Sequence, residues 1–306
     1  MTLPLHNIQT IRLLPTNVPV LRPTPSSLYI RPLADRDFHE LHNTLCRGFG
    51  VNMSSESLAL RLRQNGYRPE ISYGAFEEGS MVGFWLSGIR AISGKRVSCC
   101  TGTTVVEEWR KRGIATAMSR SAEGAARALG AGAGVLFAQA GNSTVIRLYR
   151  NMGFEITRTL HSYSSADTVE LSKDNPMQAR LTDLGHAYSL RHMLDHEPPW
   201  YRMWEGIFDV RDSIMPVVVS DGMKERAYGL FQPATGRILH LGLDAMSAEE
   251  GRLALGAMVE IFMNARSNDG PIELFQIPDS QTQIPAIMGS LGFSLSNTQV
   301  EMAKTL

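Results

Sequence analysis

Apolar and polar residues along this chain switch between a period of about two and a period near 3.6, and the switches mark out its elements. Leu28-Tyr-Ile-Arg-Pro-Leu33 predicts a first strand. Asp35 then heads a helix through Leu45, with N-cap chemistry at its start. A second helix follows Ser54 and carries Leu58, Leu60 and Leu62. Ile71 to Phe76 predicts a strand, Glu77-Glu-Gly79 a turn, and Val82 to Ile92 another strand. Ser93-Gly94-Lys95 turns the chain into a strand from Val97 to Val106. A helix from Gly113 to Leu129 is lined with Ala115, Ala117, Ala122, Ala125 and Ala126, small enough to lie close on a sheet. Gly124 inside it costs about 1 kcal/mol relative to Ala, which points to a packing reason. Gly130 to Gly134 reads as a C-cap and turn, and Val135 to Gln139 as a strand.

The grammar then repeats. Ser172-Lys-Asp-Asn-Pro176 predicts a linker, and residues 1–27 an N-terminal arm punctuated by proline. Arg180-Leu-Thr-Asp183 and a helix echo Arg31-Pro-Leu-Ala-Asp35. Strands at Pro216–Ser220, Ala227–Gln232 and Ile238–Leu243 precede a helix from Ser247 to Ala265. A strand at Ile272–Gln276, a helix and Leu291-Gly292-Phe293 follow, echoing Met152-Gly153-Phe154. A duplicated α+β unit accounts for this order, with an unrelated second α+β domain as the alternative.

Composition narrows the field. The 306 residues suggest two domains, and 43% hydrophobic with 20% charged is ordinary for a chain with a real core. Lys+Arg 30 balances Asp+Glu 30, so no global basic field favours nucleic acid or an anionic membrane. Cys46, Cys99 and Cys100 form neither a disulfide framework nor a metal motif, and a cytoplasmic location is expected. Met1 to Leu21 contains Pro4, Pro15 and Pro19 and lacks the apolar core of a signal peptide, and no run has the length of a membrane helix.

Candidate chemistry gathers at Val105-Val-Glu-Glu-Trp-Arg-Lys-Arg-Gly-Ile-Ala115. A strand end, a tight basic turn and a helix start would aim backbone N–H groups at one place, with positive helix polarity behind them. Gly113 clears a side chain from a position where a phosphate would approach, and Arg110, Lys111 and Arg112 add charge. Neither common nucleotide fingerprint is present.

Arg110-Lys-Arg-Gly113-Ile-Ala115 resembles the Arg/Gln-x-x-Gly-x-Gly/Ala signature of the GNAT N-acetyltransferase superfamily. Its order with Val135–Gln139, Asn142, Tyr149 and Met152-Gly153-Phe154 strengthens the likeness over about residues 28–172. The resemblance implies a mixed α/β (α+β) fold of two GNAT-like domains, catalytic at 28–172 and degenerate at 177–306. Each would be a mostly antiparallel twisted sheet flanked by helices with a splayed strand pair.

The resemblance also implies site roles. Acetyl-CoA or another acyl-CoA would lie in the gap between the strands carrying Val105 and Phe137, hydrogen-bonded near Thr103, Thr104 and Val105. Residues Lys111, Arg112, Gly113, Ile114, Ala115 and Thr116 would hold its pyrophosphate beside Arg110. Asn142 would bond the pantetheine arm, and Tyr149 would protonate the leaving thiolate. The Val105 N–H would stabilise the oxyanion.

Relatives place a glutamate base where this chain has Cys99 or Phe137. A water chain, Glu78, Glu108 or His161 remains as the base, or the amine arrives neutral. The partner expected is a small-molecule amine, with an acyl carrier protein as an alternative donor and a non-catalytic acyl-CoA-binding regulator as the rival reading.

In the second half, Ala248-Glu-Glu-Gly-Arg-Leu stands where the basic signature would be, Gln281 maps to Asn142 and Met288 to Tyr149. His192 and His196 have zinc-helix spacing but no third ligand, so no metal is expected. Pro199-Trp-Tyr-Arg-Met-Trp204 is expected as a packed aromatic loop able to floor an acceptor pocket.

Overall fold

The computed structural model describes residues 28–165, 174–244, 247–267 and 270–306. The expected arm at 1–27, and Ser172 and Lys173 of the expected linker, lie outside them. The described chain falls into two compact units, one ending at Leu136 and regaining Ala303–Leu306, the other Phe137–Met302.

The first unit runs β1 (Tyr29–Pro32), α1 (Phe38–Phe49), α2 (Ser55–Gln64), β2 (Tyr73–Glu77), β3 (Ser80–Ile92), β4 (Lys95–Val105), α3 (Ile114–Ala128) and the start of β5 (Ala133–Gln139). β1 to β4 form an antiparallel meander, and β5 joins β4 in parallel. Both hairpins turn where the sequence predicts. Glu78 and Gly79, and Ser93 and Gly94, carry the paired positive φ of a tight hairpin whose twist matches the strands. The expected helix from Asp35 begins instead as a 3-10 turn, Asp35–Asp37. Asp37 there takes two hydrogen bonds from Arg31, at 2.6 and 2.7 Å, and one from the Ala34 N–H at 2.9 Å. The α-helix follows and runs four residues past Leu45. Leu41, Leu45, Leu58 and Leu62 of the two helices pack on Phe76, Met81, Phe84 and Leu86 of the sheet. In α3 the buried stripe is Ile114, Met118, Ala122 and Ala126, each one turn apart. Gly124 is exposed and a Cβ there would meet nothing within 4 Å, so no packing reason holds it.

The second unit continues with α4 (Ser143–Asn151), β6 (Glu155–Ser165), β7 (Gln178–Leu181), α5 (Leu184–Ser189), α6 (Trp204–Asp209), β8 (Met215–Ser220), β9 (Glu225–Gln232), β10 (Arg237–Leu243), α7 (Ala248–Ala265), β11 (Glu273–Pro278), α8 (Gln283–Ser290) and β12 (Phe293–Thr305). Its strand order is β12-β6-β11-β10-β9-β8-β7. Successive residues of β8 bury on opposite faces. Val217 and Val219 pack with Leu255, Met258 and Phe262 of α7, whereas Val218 packs with Ala187 and Ile207 of α5 and α6. Pro285 is tolerated in α8 because it stands in the first turn, where an N–H has no helical acceptor.

The sequence halves trade strands. β6, from the first half, pairs antiparallel with β11 of the second. Residues 303–306, from the end of the second half, return to the first unit, where the Leu306 N–H donates to the Gly132 carbonyl at 3.0 Å. Neither half of the sequence holds every strand of one compact unit.

Candidate active site

In the first unit the site begins with a bulge. β4 faces β3 with Cys100 opposite Ser87 and Gly102 opposite Leu86, so Thr101 is an extra residue. A bulge bends its strand and sharpens the twist. The parallel pairing of β4 with β5 stops at Cys100–Leu136, the residue before the bulge, while β4 continues to Val105. The Val106 N–H donates to the Val82 carbonyl on β3 at 2.9 Å. By the alternation of a strand, the Val105 N–H and carbonyl point away from β3. Thr103 ties its hydroxyl to the Phe84 carbonyl at 2.8 Å, and Thr104 packs against Gly48, where a Cβ would come within 2.5 Å of its side chain.

A 3-10 turn, Glu107–Trp109, leads to the basic residues. Arg110 does not face the helix end. Its Nε donates to the Val105 carbonyl at 2.9 Å and its Nη2 to the Gly48 carbonyl at 3.4 Å, so it braces the turn against β4 and α1. Lys111 and Arg112 are exposed, with the Arg112 guanidinium 4.5 Å from the Trp109 ring centre and bonded to the Glu108 carbonyl. Lys111 has φ 62 and Gly113 φ 76. A non-glycine residue held there costs about 1–2 kcal/mol, the kind of strain that gathers at functional sites. Gly113 is the N-cap position of α3, so the helix has neither a side-chain cap nor an acid in its first turn. The N–H groups of Ile114, Ala115 and Thr116 therefore have no helical acceptor and lie at the positive end of the dipole. A Cβ on Gly113 would meet nothing within 4 Å, so the space in front of these donors is open.

Asn142 and Tyr149 come together on α4, in the second unit. Asn142 is its N-cap, with Oδ1 accepting from the Val145 N–H at 3.1 Å. Tyr149 lies two turns on, buried, with its ring edge-on to Phe154 at 6.2 Å. Of the candidate bases, Glu78 and Glu108 stand in exposed turns, and His161 on β6 bonds Thr298 through Nδ1 at 3.2 Å. Burial pushes the Cys100 thiol up to about 12, so it is no nucleophile at neutral pH.

The second unit repeats the bulged fork and closes it. β10 pairs in parallel with β11 only at Arg237–Glu273 and Ile238–Leu274. β10 is then irregular between Ile238 and His240, and β11 between Leu274 and Ile277, where Gln276 has φ 53. Arg202 fills the parting. It is fully buried, its Nε bonds the Leu239 carbonyl, and its Nη1 donates to the Gln276 carbonyl at 2.7 Å. Both acceptors are residues of the distorted stretches. The Arg202 carbonyl accepts from His240 Nε2 at 2.6 Å, and the Tyr228 hydroxyl stands 3.2 Å from His240 Nδ1.

At α7 a capping box replaces the bare helix end of α3. Ser247 Oγ accepts from the Glu250 N–H at 3.2 Å, and Glu250 Oε2 accepts from the Ser247 N–H at 2.9 Å. Glu249 adds a second carboxylate to the first turn. Met288, expected from the sequence as the counterpart of Tyr149, is fully buried. Arg202 was not legible as a site residue; only its place in the aromatic run singled out its neighbourhood. In that run Tyr201 packs on Phe137, ring centres 4.9 Å apart. His192 sits in a 3-10 turn and His196 beyond it, so the pair does not share a helical face. Among the described residues no group of three or more His, Cys, Asp or Glu could hold a metal, and no helix is long and apolar enough to cross a membrane.

The model described as the Acetyltransferase (GNAT) family matches residues 38–154. This segment belongs to the GNAT family. Its match takes in the bulged β4, the basic turn and α4. No curated protein matches the chain. Solved structures share the fold along nearly all of its length. A tandem GNAT protein from the clavulanic acid biosynthesis pathway is 14% identical with a TM-score of 0.68, over 91% of this chain and 98% of that one. A GCN5-related N-acetyltransferase from Sphaerobacter thermophilus is 13% identical with a TM-score of 0.67, over 92% and 96%. Another from Anabaena variabilis is 16% identical with a TM-score of 0.58, over 90% and 72%. GNAT family and fold support acyl transfer.

Proposed function

We propose that the chain is an N-acyltransferase that takes an acyl group from acyl-CoA and passes it to an amine of a small molecule. We read it as a tandem of two GNAT-like halves, 28–172 and 177–306, of which only the first takes the donor. The observation that carries the reading is the uncapped start of α3, opened by Gly113 at φ 76 with no protein atom in its Cβ space. Ile114, Ala115 and Thr116 would hold the pyrophosphate through their N–H groups, with Lys111 and Arg112 adding charge. Arg110 would keep this turn in place. The pantetheine arm would take the outward backbone groups of Thr103 to Val105, and Asn142.

Acyl-CoA, when bound, supplies an activated acyl group. The chain's part is to hold charge and move one proton. The Val105 N–H points away from β3 and suits the acyl oxygen. The Tyr149 hydroxyl suits proton delivery to the departing sulfur.

The test is Tyr149→Phe, assayed with acetyl-CoA and with an acylated carrier protein across a panel of amines. Turnover should fall by about 100-fold or more while donor affinity stays within about twofold. Undiminished turnover would make Tyr149 structural.

A further inference from the structure

Arg202 is a buried cation without a counter-ion. Its side chain makes no ion pair among the described residues, and its Nη2 is buried with no hydrogen-bond partner. A guanidinium stripped of water is destabilising unless a carboxylate or further hydrogen bonds offset the loss, and the two carbonyls of Leu239 and Gln276 offset part of it. Burial pulls its pKa down to about 9, so the charge persists at neutral pH.

A second guanidinium stands nearby in the same unit. Arg158 on β6 donates through Nη1 to the Glu197 carbonyl at 2.9 Å and through Nη2 to Glu301 at 2.8 Å. Its Nε is buried and has no partner. His196, next to Glu197, bonds Asp195 through Nδ1 at 3.1 Å. Burial, with Arg202 and Arg158 close by, pushes its pKa down to about 4, so it adds no charge at pH 7.

The charge count selects the ligand. The Asp195 side chain is 60% exposed and its charge is screened by water; of the buried groups Glu301 cancels Arg158, His196 is neutral, and Arg202 leaves one positive charge. A monoanion balances it, whereas a dianion such as sulfate would leave a buried negative charge. Guanidinium N–H donors favour the oxygens of a carboxylate. The Arg158 side chain is 26% exposed, so it is the member of the pair that meets solvent, whereas Arg202 is fully buried.

We propose that Arg202 and Arg158 form a binding site for one carboxylate group, built from the closed fork of the second unit. The carboxylate belongs either to a free small acid or to the amine acceptor. The residue before Arg202, Tyr201, packs on Phe137 of β5, the first residue past the pairing with β4.

Saturation-transfer NMR on the full chain, with sodium acetate as the probe at constant chloride, tests this. The wild-type chain should bind acetate, and Arg202→Met should weaken binding at least tenfold. If that variant does not fold, Arg158→Gln, farther from the core, should show the same loss. Sodium sulfate, a dianion at pH 7, should compete poorly. Acetate that does not bind, or binds equally to both variants, overturns the proposal and leaves water as the partner of the unpaired donors. With an amine that the enzyme acylates, acetate that competes against it assigns the carboxylate to the acceptor. Acetate that binds without altering turnover assigns it to a separate acid. An enzyme that binds acetate yet acylates nothing sinks the proposed function and keeps this site.

Discussion

Two helices follow two bulged strands, and their first turns are opposites. α3 starts with Gly113 in the left-handed region, no cap and no acid, behind exposed Lys111 and Arg112. α7 starts with Ser247 in extended conformation, a closed capping box and two glutamates. The forks differ in the same sense. Beside β4 the Val105 N–H is turned outward, whereas Arg202 takes the carbonyls beside β10 and β11. A helix end that satisfies its own N–H groups is more stable, and one that leaves them bare can hold an anion. The first unit has the bare end and its strain, whereas the second satisfies its helix end with internal hydrogen bonds.

The largest expected effect comes from giving α3 what α7 has. Thr116 occupies the same position in α3 that Glu250 occupies in α7. Thr116→Glu should weaken CoA binding by about 100-fold or more, since a carboxylate would face the pyrophosphate. Yet it should leave stability unchanged or raise it by about 0.3–1 kcal/mol through the dipole. Calorimetry and thermal melting read the two effects. A variant that loses stability and CoA binding together would show that the turn had merely been disrupted.

Next in size is a pH dependence confined to the closed fork. Burial, with Arg202 alongside, pushes the His240 pKa down to about 3. The folded chain keeps His240 neutral while the unfolded chain protonates near pH 6.5, so the unfolded state binds more protons below that pH. Stability should fall as pH drops from 6.5 toward 3, by up to about 1.4 kcal/mol per pH unit from this residue. His240→Gln should lessen the slope without abolishing it, because His196, with its pKa held down to about 4, contributes in the same sense. An unchanged slope in denaturant titrations at pH 7 and pH 5 would remove His240 as its source.

Ser247→Ala is smaller still. Loss of the cap should cost about 1 kcal/mol and leave CoA affinity unchanged. An effect on CoA affinity would break the assignment of the donor to the first half.

The comparison was half legible in the sequence. Arg110-Lys-Arg-Gly113 and Ala248-Glu-Glu-Gly251 differ plainly in charge, and Ser54, Asp183 and Ser247 all cap the helices they precede. Hairpins with glycine at a positive-φ position were equally readable. The bulges were not, because an extra residue such as Thr101 shows only against its partner strand. Arg202 was hidden for a related reason: a buried arginine announces itself through acceptors 37 and 74 residues away. Nor does local sequence reveal that β6 pairs with β11, since strand exchange is a choice among partners of similar pattern.

The central claim is that only the first helix end takes the donor, and titration calorimetry of the full chain with CoA tests it most directly. One site per chain is expected, absent in Gly113→Val and intact in Ser247→Ala. Two sites per chain, or a single site that survives Gly113→Val, would contradict the account.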